Sequence, residues 1–553
     1  MFNQLKTIYQ NLNRFRKQQL VILFSLLFFV VLLENIGLIF IFSYIKLLVN
    51  NGPQISLLTI NLFKNINLNY FTLYVIIFFI ISAFFRIFQI KYQMNLLYNI
   101  SSDLGNFIFD LNLKANYINI LSINKSRITS ILTAKINDIV INIVQQIFNI
   151  TQGIIMFSIF LLTLVYLNMS FVFSFLFIIV LFYFIISSLL KKKIKKNSFD
   201  IAKNTTNYLQ FLNDVYRNYK YIIFRKNFSF YTKQNETYLN LINNPSANNM
   251  TYTLFPKVMV ESIVIIMVLI LLLLFSNDSN NLFYPKAGTL IFSILRLLPY
   301  SQSIYAGITN IRSSIGNLND VCDLLKNTKA KKINNSNLIT NVNSVEFKNL
   351  SYIFDDGTKL FSGLNVKISP GDILGIIGPS GSGKTTLCDI ILNLRQPSDG
   401  HIYFKSINNE IITANIEKRI AYVPQNHFII HGTIIDNIVY GEDINNLKFD
   451  KIYQILNLLD LYDLFMNYPL KLNTNISEAS ARLSGGQMQR LCIARALYNE
   501  FDILILDEPT SAIEESLEKL IIERIVSYYR NKIIIIISHS SDVQNLCNKH
   551  FYL

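Results

Sequence analysis

The sequence predicts two halves of different fold class: an α-helical domain with six transmembrane spans in residues 1–326, and an α/β fold in residues 345–553. Hydrophobic residues make up 51% of the chain and the mean hydropathy is +0.35, which is high for a soluble protein. These residues crowd into the first 310 positions, whereas short isoleucine-rich runs alternate with helical patterns after position 345. Residues 327–344 are polar and rich in asparagine, so we expect a linker there.

Six apolar stretches are long enough for membrane spans, since a helix crosses the hydrocarbon core with about 20 residues. The predicted spans are 19–49, 71–94, 138–167, 170–190, 256–276 and 285–306. The first stretch exceeds the apolar core of a cleavable signal peptide, so we expect it to be retained. The connections 95–137 and 191–255 are too long for turns. We expect helical extensions there, with a short helix near 116–124 and another near 216–224.

Basic residues predict the orientation of these spans. Lysine and arginine collect before the first span, after the second and after the fourth, where Lys191, Lys192, Lys193, Lys195 and Lys196 lie close together. Cytoplasmic loops carry an excess of these residues, so we expect both termini and the α/β half on the cytoplasmic side of a bacterial-type inner or plasma membrane. The formal net charge of +15 has the same explanation, and we expect no nucleic-acid partner.

Four charged residues within or beside the spans are candidates for a substrate site: Glu34, Arg86, Lys257 and Arg296. Ionisable side chains inside a membrane are costly and indicate function by default. An alternative for Arg86 and Lys257 is that their long side chains reach out to the cytoplasmic interface. Arg296 lies deeper in its span. Cations that face one cavity suit an anionic head group such as a phosphate or pyrophosphate.

The most specific motif of the chain is GPSGSGKTT at 378–386, which follows an apolar run at 373–377 and opens a helix. It fits the pattern G-x-x-x-x-G-K-[ST] in the strand–loop–helix context that this pattern requires. Its glycines let backbone N–H groups surround phosphates, and the helix N-terminus adds its dipole. We therefore predict an ATP site of the phosphate-loop NTPase type, with Lys384 on the β- and γ-phosphates and Thr385 on Mg²⁺.

A second motif places two carboxylates, Asp507 and Glu508, at the end of the apolar run 503–506. Asp507 is placed to organise Mg²⁺, directly or through water, and Glu508 to polarise the attacking water. An apolar strand that ends in two carboxylates is common by itself. It indicates a nucleotide site here because the same half of the chain contains the phosphate loop.

A third motif, LSGGQ at 483–487, lies between the other two. In this position it resembles the signature of the nucleotide-binding domains of ABC transporters. In that family the signature of one subunit covers the γ-phosphate held by the partner's phosphate loop. The resemblance therefore implies that ATP joins two such domains head to tail and that hydrolysis releases them.

Other elements resemble the family in the same order. Gln425, in YVPQ, matches the residue that links the Mg²⁺ site to the membrane domain, and His539 matches the switch histidine on the γ-phosphate. Glu478 lies where exporters have a cross-talk loop. The implied catalytic residues are Glu508, His539, Gln425 and Lys384, and the implied metal-binding residues are Thr385, Gln425 and Asp507. The implied ATP-binding residues are Phe354, Gly378, Pro379, Ser380, Gly381, Ser382, Gly383, Lys384, Thr385, Thr386, Ser484, Gly485, Gly486 and Gln487.

Three departures from the family pattern are visible. The aromatic residue that stacks on adenine is usually tyrosine, and here it is Phe354, with Tyr352 as the alternative. Stacking does not need the hydroxyl. The loop after the acidic pair ends in Glu514 where the family has aspartate, and we expect the last strands and helix to be shorter than is usual in the family. No predicted catalytic group is lost, so we predict an active ATPase.

Six spans before one nucleotide-binding domain resemble a half-transporter of the type IV exporter class. A single phosphate loop and a single signature cannot form two composite sites, so we expect a dimer with a second copy or with a homologous half-transporter. The charged residues of the spans and the run LRLLP at 295–299 resemble the bacterial flippases of lipid-linked oligosaccharides, the PglK type. The expected cargo is then an amphipathic, anionic lipid-linked substrate in the membrane. The alternatives are an exporter of a peptide, drug or other lipid, and a catalytically weak partner in a heterodimer.

Overall fold

The computed structural model describes residues 2–50, 68–166, 172–275, 283–327, 341–354, 357–379, 381–412, 416–441, 447–476, 483–509, 515–538 and 541–553. The chain divides into two compact units, Met1–Lys331 and Lys332–Leu553. Each unit has hydrophobic clusters of its own.

The first unit is helical throughout the residues that the structure describes. Its helices are α1 (Phe2–Gln10), α2 (Arg14–Asn50), α3 (Leu68–Leu113), α4 (Tyr117–Ser122), α5 (Lys125–Ser130), α6 (Ile136–Ile139), α7 (Gln145–Tyr166), α8 (Val172–Arg217), α9 (Tyr219–Arg225), α10 (Phe228–Phe275), α11 (Phe283–Ser313) and α12 (Ile315–Asn327). Two π-helical segments, Ile131–Lys135 and Val140–Val144, interrupt the run from α5 to α7. The short helices α4 and α9 lie where the sequence predicts short helices in the two long connections.

Three helical stretches among the described residues are long and apolar enough to cross a membrane, judged by length and composition: Arg14–Ile41, Asn69–Leu113 and Lys125–Phe160. They overlap the first three predicted spans. The predicted spans 170–190, 256–276 and 285–306 fall on α8, α10 and α11, and each includes positions whose backbone or side chain lies outside the described residues. The number of six spans therefore stays a prediction.

The surface of α2 is apolar on both sides, which is typical of a helix in a membrane. Leu23, Leu27 and Val31 recur at a spacing of four residues and are fully buried. Phe24 and Phe28, on another face, are 40% and 50% exposed. Large apolar groups at this exposure are costly in water and favourable in the hydrocarbon core.

Helices α7 and α11 approach each other closely because each has a glycine at the contact. A Cβ atom on Gly153 would lie 2.6 Å from Ile304, and one on Gly307 would lie 2.7 Å from Ile150. Small residues that let two backbones approach are the usual device of helix packing in membranes.

The second unit is an α/β structure whose described strands form three sheets. Its strands are β1 (Ser344–Ile353), β2 (Lys359–Ile368), β3 (Ile373–Ile377), β4 (Asp399–Lys405), β5 (Ile420–Val423), β6 (Gly432–Thr433), β7 (Asn475–Ile476), β8 (Ile503–Asp507), β9 (Ile533–Ile537) and β10 (Lys549–Tyr552). The main sheet is parallel in the order β10-β3-β9-β8-β5, a small antiparallel sheet has the order β2-β1-β4, and β6 pairs with β7. Its helices are α13 (Lys384–Ile391), α14 (Ile434–Val439), α15 (Phe449–Leu458), α16 (Tyr462–Met466), α17 (Gly485–Tyr498), α18 (Glu515–Tyr528) and α19 (Ser541–Gln544).

The centre of this unit is the strand pair β8 and β9, in which every residue is buried. Continuous apolar runs of this kind form parallel strands that are covered on both faces. At the start of β8, Asp502 accepts hydrogen bonds from Arg419 at 2.7 and 2.8 Å, from Lys532 at 2.9 Å and from the Val342 N–H at 2.8 Å. Burial raises the pKa of Asp502, but the hydrogen bonds from Arg419 and Lys532 outweigh it and hold that pKa below its ordinary value.

Candidate nucleotide site

Four adjacent strands of the parallel sheet end at one edge, where the predicted motifs follow them. The strand ends are paired in register: Ile376 with Ile537, Asp507 with Ile537, and Val423 with Leu506. The phosphate loop follows β3, the acidic pair closes β8, and Gln425 follows β5. Ligands of open α/β sheets bind outside the carboxyl ends of the strands, so this edge is the place for a nucleotide.

The phosphate loop has a backbone that requires glycine. Gly381 and Gly383 have φ values of 84° and 103°, in the left-handed region that glycine adopts readily. A Cβ atom on Gly383 would also lie 2.7 Å from Leu360. The Lys384 Nζ donates hydrogen bonds to the backbone oxygens of Gly378 at 2.7 Å and Pro379 at 3.0 Å. The lysine side chain therefore stabilises the loop by bonding to its own backbone.

The acidic pair at the end of β8 is held on both sides. Glu508 has a φ of 47°, which is uncommon for a non-glycine residue, and its N–H donates to the Ile537 oxygen at 2.9 Å. The Gln425 Nε2 donates to the Glu508 Oε2 at 2.7 Å. The Tyr422 hydroxyl makes a long contact of 3.5 Å with the Asp507 Oδ2. The left-handed turn separates the two neighbouring carboxylates, and Gln425 holds the second one.

The surroundings of the Asp507 carboxylate disfavour its negative charge. Burial and, next to it, the negative charge of Glu508 raise the pKa of Asp507 from 3.8 to about 6. The Asp389 charge acts in the same direction, whereas the Lys384 charge and the Tyr422 hydroxyl act against it. A buried carboxylate that is destabilised by a second carboxylate is suited to a divalent cation.

The signature segment begins helix α17 with a reciprocal cap. The exposed Ser484 accepts a hydrogen bond at its Oγ from the Gln487 N–H at 3.2 Å, and its own N–H donates to the Gln487 Oε1 at 2.9 Å. This capping box fixes the first turn, while Gly485 adds no side chain there. The backbone N–H groups and the dipole at this helix start favour an anion.

The two candidate aromatic residues have different surroundings. The Tyr352 ring is half-buried and contacts Phe361 at 6.3 Å between ring centroids, and the Arg395 Nη1 donates to the Tyr352 hydroxyl at 3.3 Å. Phe354 follows the end of β1 and is 37% exposed. Its ring is the one available to a base, which supports the choice of Phe354.

Comparison with known families explains this arrangement. A sequence profile of the family described as "ABC transporter" matches residues 361–511, which include the phosphate loop, the signature and the acidic pair. This segment is an ABC transporter domain.

Curated relatives match through the ABC transporter domain. A lactococcin-G-processing and transport ATP-binding protein of Lactococcus lactis is 32% identical over 233 residues, which are 42% of this chain and 33% of the relative. A putative export ATP-binding/permease protein of Rickettsia conorii is 37% identical over 38% of this chain and 36% of its own length. An ATP-dependent lipid A-core flippase of Cupriavidus pinatubonensis is 32% identical over 36% of this chain and 34% of its own length. The chain spans about a third of the length of these relatives.

A solved structure has the same fold over nearly the whole chain. A bacterial Atm1-family ABC exporter with ATP bound superimposes with a TM-score of 0.77, covering 97% of this chain and 93% of its own, at 16% sequence identity. The predicted fold class, an apolar helical half followed by an ABC nucleotide-binding half, is therefore confirmed. Three of the described helical stretches are long and apolar enough to cross a membrane, which fits a multi-pass membrane protein.

The ABC transporter domain implies ATP and Mg²⁺, and the residues present fit both. The Ser382 Oγ is buried in the phosphate loop with no hydrogen-bond partner among the described residues, as expected of a group that contacts a ligand. Thr385 lies exposed in the first turn of α13, and Thr386 follows it. Asp507 supplies the destabilised carboxylate.

Other predicted residues of the ABC transporter domain are not described. Ser380, His539, Glu478 and Glu514 lie outside the described residues. The sequence reasoning missed Tyr422 and also Gln489, whose Nε2 lies 3.4 Å from the Glu508 oxygen. No spacing rule indicated either of them.

Three of the predicted substrate residues of the first unit take part in contacts between opposite charges, and the side chain of the fourth lies outside the described residues. Glu34 is buried, accepts a hydrogen bond from the Tyr300 hydroxyl and forms a salt bridge of 3.0 Å with Arg86. Lys257 lies 4.0 Å from Glu261. The side chain of Arg296 lies outside the described residues. Arg86 and Lys257 therefore each have a carboxylate neighbour, and the assignment of these residues to a substrate site stays a prediction.

Proposed function

We propose that this chain is an ATP-hydrolysing subunit of a membrane exporter. The observation that carries the proposal is the 2.7 Å contact of Gln425 with Glu508 at the sheet edge that also carries the phosphate loop. This contact joins the residue that follows β5 to the carboxylate placed for catalysis. The names of curated relatives, an export permease and a lipid A-core flippase, agree with an exporter.

In the proposed mechanism the chain's own residues position ATP and water. Lys384, which contacts the loop oxygens of Gly378 and Pro379, would bind the β- and γ-phosphates, and Thr385 and Asp507 would hold Mg²⁺. The cation supplies charge stabilisation to the phosphates. Glu508 orients the attacking water, and Gln425 keeps that carboxylate in place.

The proposed working unit is a dimer. The sequence contains one phosphate loop and one signature. The helix start at Ser484 is exposed in this chain, so it is open to the γ-phosphate held by a partner. A second copy gives two equivalent composite sites under twofold symmetry. A homologous half-transporter is the alternative partner.

The proposed topology has six spans, with both termini and the ABC transporter domain in the cytoplasm. The positive clusters before the first span and after the fourth support this orientation. The proposed cargo is an amphipathic lipid with an anionic head group, such as a pyrophosphate-linked oligosaccharide, and Arg296 is the cation proposed to bind it.

A second candidate cargo is a peptide or another amphipathic compound. The observation in its favour is that Arg86 and Lys257 already have carboxylate neighbours, which lowers the positive charge offered to a head group. A bacteriocin-processing transporter among the relatives agrees with this alternative.

The ATPase proposal is tested with the variant Glu508→Gln in purified full-length chain. We expect the ATPase rate to fall by about a hundredfold or more while ATP binding persists, because the carboxylate acts on water rather than on nucleotide. Glu523→Gln, an exposed glutamate of α18, is the matched control and should leave the rate unchanged. Equal rates for wild type and Glu508→Gln would refute the enzyme assignment.

The cargo is tested in proteoliposomes that contain either a fluorescent pyrophosphate-linked glycolipid or a labelled amphipathic peptide. For an anionic cargo, Arg296→Ala should abolish glycolipid movement and leave ATPase activity, and Lys326→Gln on α12 should change neither. Glycolipid movement that survives Arg296→Ala would remove the anionic-cargo proposal, and movement of the peptide alone would favour the second candidate.

A further inference from the structure

Helix α8 carries a dense cluster of lysines that the nucleotide site does not use. We define the lysine collar as Lys191, Lys192, Lys193, Lys195 and Lys196. All five side chains are exposed, whereas Ile194 in their midst is fully buried. No ion pair is recorded for the collar within the described part of the chain. Five unpaired ammonium groups on about two turns repel one another unless anions lie beside them.

The collar continues the exposed apolar face of the same helix. At about 100° per residue, the five lysines cover an arc of roughly 200° opposite the buried Ile194. Between about half a turn and four turns earlier, Phe177, Val180, Phe184 and Leu189 are 67%, 54%, 71% and 72% exposed. These apolar side chains fall largely on the same arc. The helix surface therefore changes from apolar to cationic along one face.

The neighbouring helix offers no acid to the collar. The Asn197 Nδ2 donates a hydrogen bond to the Asn249 Oδ1 at 2.9 Å, and Tyr183 belongs to the same hydrophobic cluster as Val260. Helices α8 and α10 are therefore antiparallel, with Asn197 beside Asn249 and Tyr183 beside Val260. The part of α10 beside the collar is therefore about residues 249–256, NMTYTLFP, which contain no aspartate or glutamate. On α8 itself Asp200 lies four residues after Lys196, a single carboxylate against five lysines, so most of the anions that offset the collar must come from outside the helix pair.

We propose that the lysine collar binds the phosphate head groups of anionic phospholipids in the cytoplasmic leaflet. An apolar face followed directly by lysines matches the change from acyl chains to head groups at a membrane surface. The collar is thus a lipid site on the outer face of α8, separate from cargo and from nucleotide. It rests on the proposed fourth span and on no step of ATP hydrolysis.

The absence of tryptophan from the chain makes this site measurable. Phe184→Trp introduces a single fluorophore on the apolar face, seven residues before Lys191 and so about 10 Å above it. The protein is reconstituted in bilayers of phosphatidylcholine and phosphatidylglycerol in which one or the other lipid carries bromine, a contact quencher. The ratio of the two quenching efficiencies reports which lipid lies beside α8.

We expect brominated phosphatidylglycerol to quench more strongly than its share of the bilayer predicts. The triple variant Lys191→Gln, Lys192→Gln, Lys195→Gln should reduce this preference at least about fivefold, because each lysine near a membrane surface contributes about that factor and the loss of one is enough for this decrease. The matched control neutralises Lys220, Lys226 and Lys233, which are exposed lysines on α9, just after it and on α10, roughly 30–40 Å from the collar along the helix axes. The control should keep the preference.

Three results would overturn the proposal. An equal lipid preference in the collar variant and the control would show that the collar does not select the lipid. Loss of the preference on adding inorganic phosphate, but not sodium chloride of equal ionic strength, would assign the collar to free anions. Absence of quenching by either lipid would remove α8 from the bilayer and the proposal with it. None of these readouts depends on ATP hydrolysis, so failure here is distinguishable from failure of the exporter proposal.

Discussion

The affinity of the nucleotide site for Mg²⁺ should depend on pH through Asp507. Burial and the adjacent Glu508 charge place the pKa of Asp507 at about 6. Mg²⁺ binds the ionised carboxylate, so protons compete with it below that pH. At pH 5 about ten Asp507 side chains are protonated for each ionised one, and at pH 7 this ratio is reversed. The dissociation constant of Mg²⁺ should therefore rise roughly tenfold between pH 7 and pH 5.

Removal of the Glu508 charge, the second cause of the raised pKa of Asp507, gives the sharper test. Glu508→Gln abolishes the neighbouring charge, so the pKa of Asp507 should move down toward 3.8 while its burial stays. If that pKa falls by one unit, the same pH step should weaken Mg²⁺ binding only about twofold. Asp507→Asn should bind Mg²⁺ weakly at both pH values.

The assay is a Mg²⁺ titration of the full-length chain at a fixed concentration of a fluorescent ATP analogue. The nucleotide's own titration is common to all three proteins, so differences between their pH profiles belong to Asp507. The same pH dependence in wild type and Glu508→Gln would refute the reasoning, because it would show that the Glu508 charge does not act on the metal-binding carboxylate.

Two further predictions concern the second unit. Asp502→Asn should lower the free energy of unfolding by about 2–3 kcal/mol, since the buried Asp502 is the carboxylate partner of the half-buried Arg419 and Lys532. Asp542→Asn, which removes a 3.6 Å ion pair of two exposed side chains, should cost less than about 0.5 kcal/mol. Denaturant titrations that follow nucleotide binding measure both values, and equal costs would contradict the role of Asp502. Phe354→Ala should weaken ATP binding roughly five- to hundredfold by loss of stacking, and Tyr352→Ala should weaken it less, as nucleotide titration can show. A larger effect of Tyr352→Ala would reverse the assignment.

Those parts of the nucleotide site that depend on local backbone chemistry could be predicted from the sequence. The phosphate loop needs glycines at fixed spacing, and Gly381 and Gly383 do adopt left-handed backbone. The isoleucine runs of β8 and β9 predict strands buried on both faces, and every residue of both is buried. Each of these features is encoded within a few neighbouring residues.

Features that depend on contacts between distant segments could not be predicted in this way. The φ of 47° at Glu508 and its contact with Gln425, 83 residues earlier, arise from the order of strands in the sheet. The two π-helical segments near Lys135 could not be predicted from the hydrophobic pattern either. An apolar helix with one extra residue in a turn has nearly the same composition as a regular one.

The charges of the membrane half show why this difference matters for function. Hydropathy treats each span separately, so it counts Glu34 and Arg86 as two independent charges. Packing joins α2, α3 and α11, and the buried Glu34 then binds both Arg86 and the Tyr300 hydroxyl. A carboxylate and a guanidinium in contact largely cancel at the distance of a substrate, and desolvation of an unpaired Glu34 would cost several kcal/mol, of order 3–5. Arg86 is therefore first a partner of Glu34, and the case for an anionic cargo depends on Arg296.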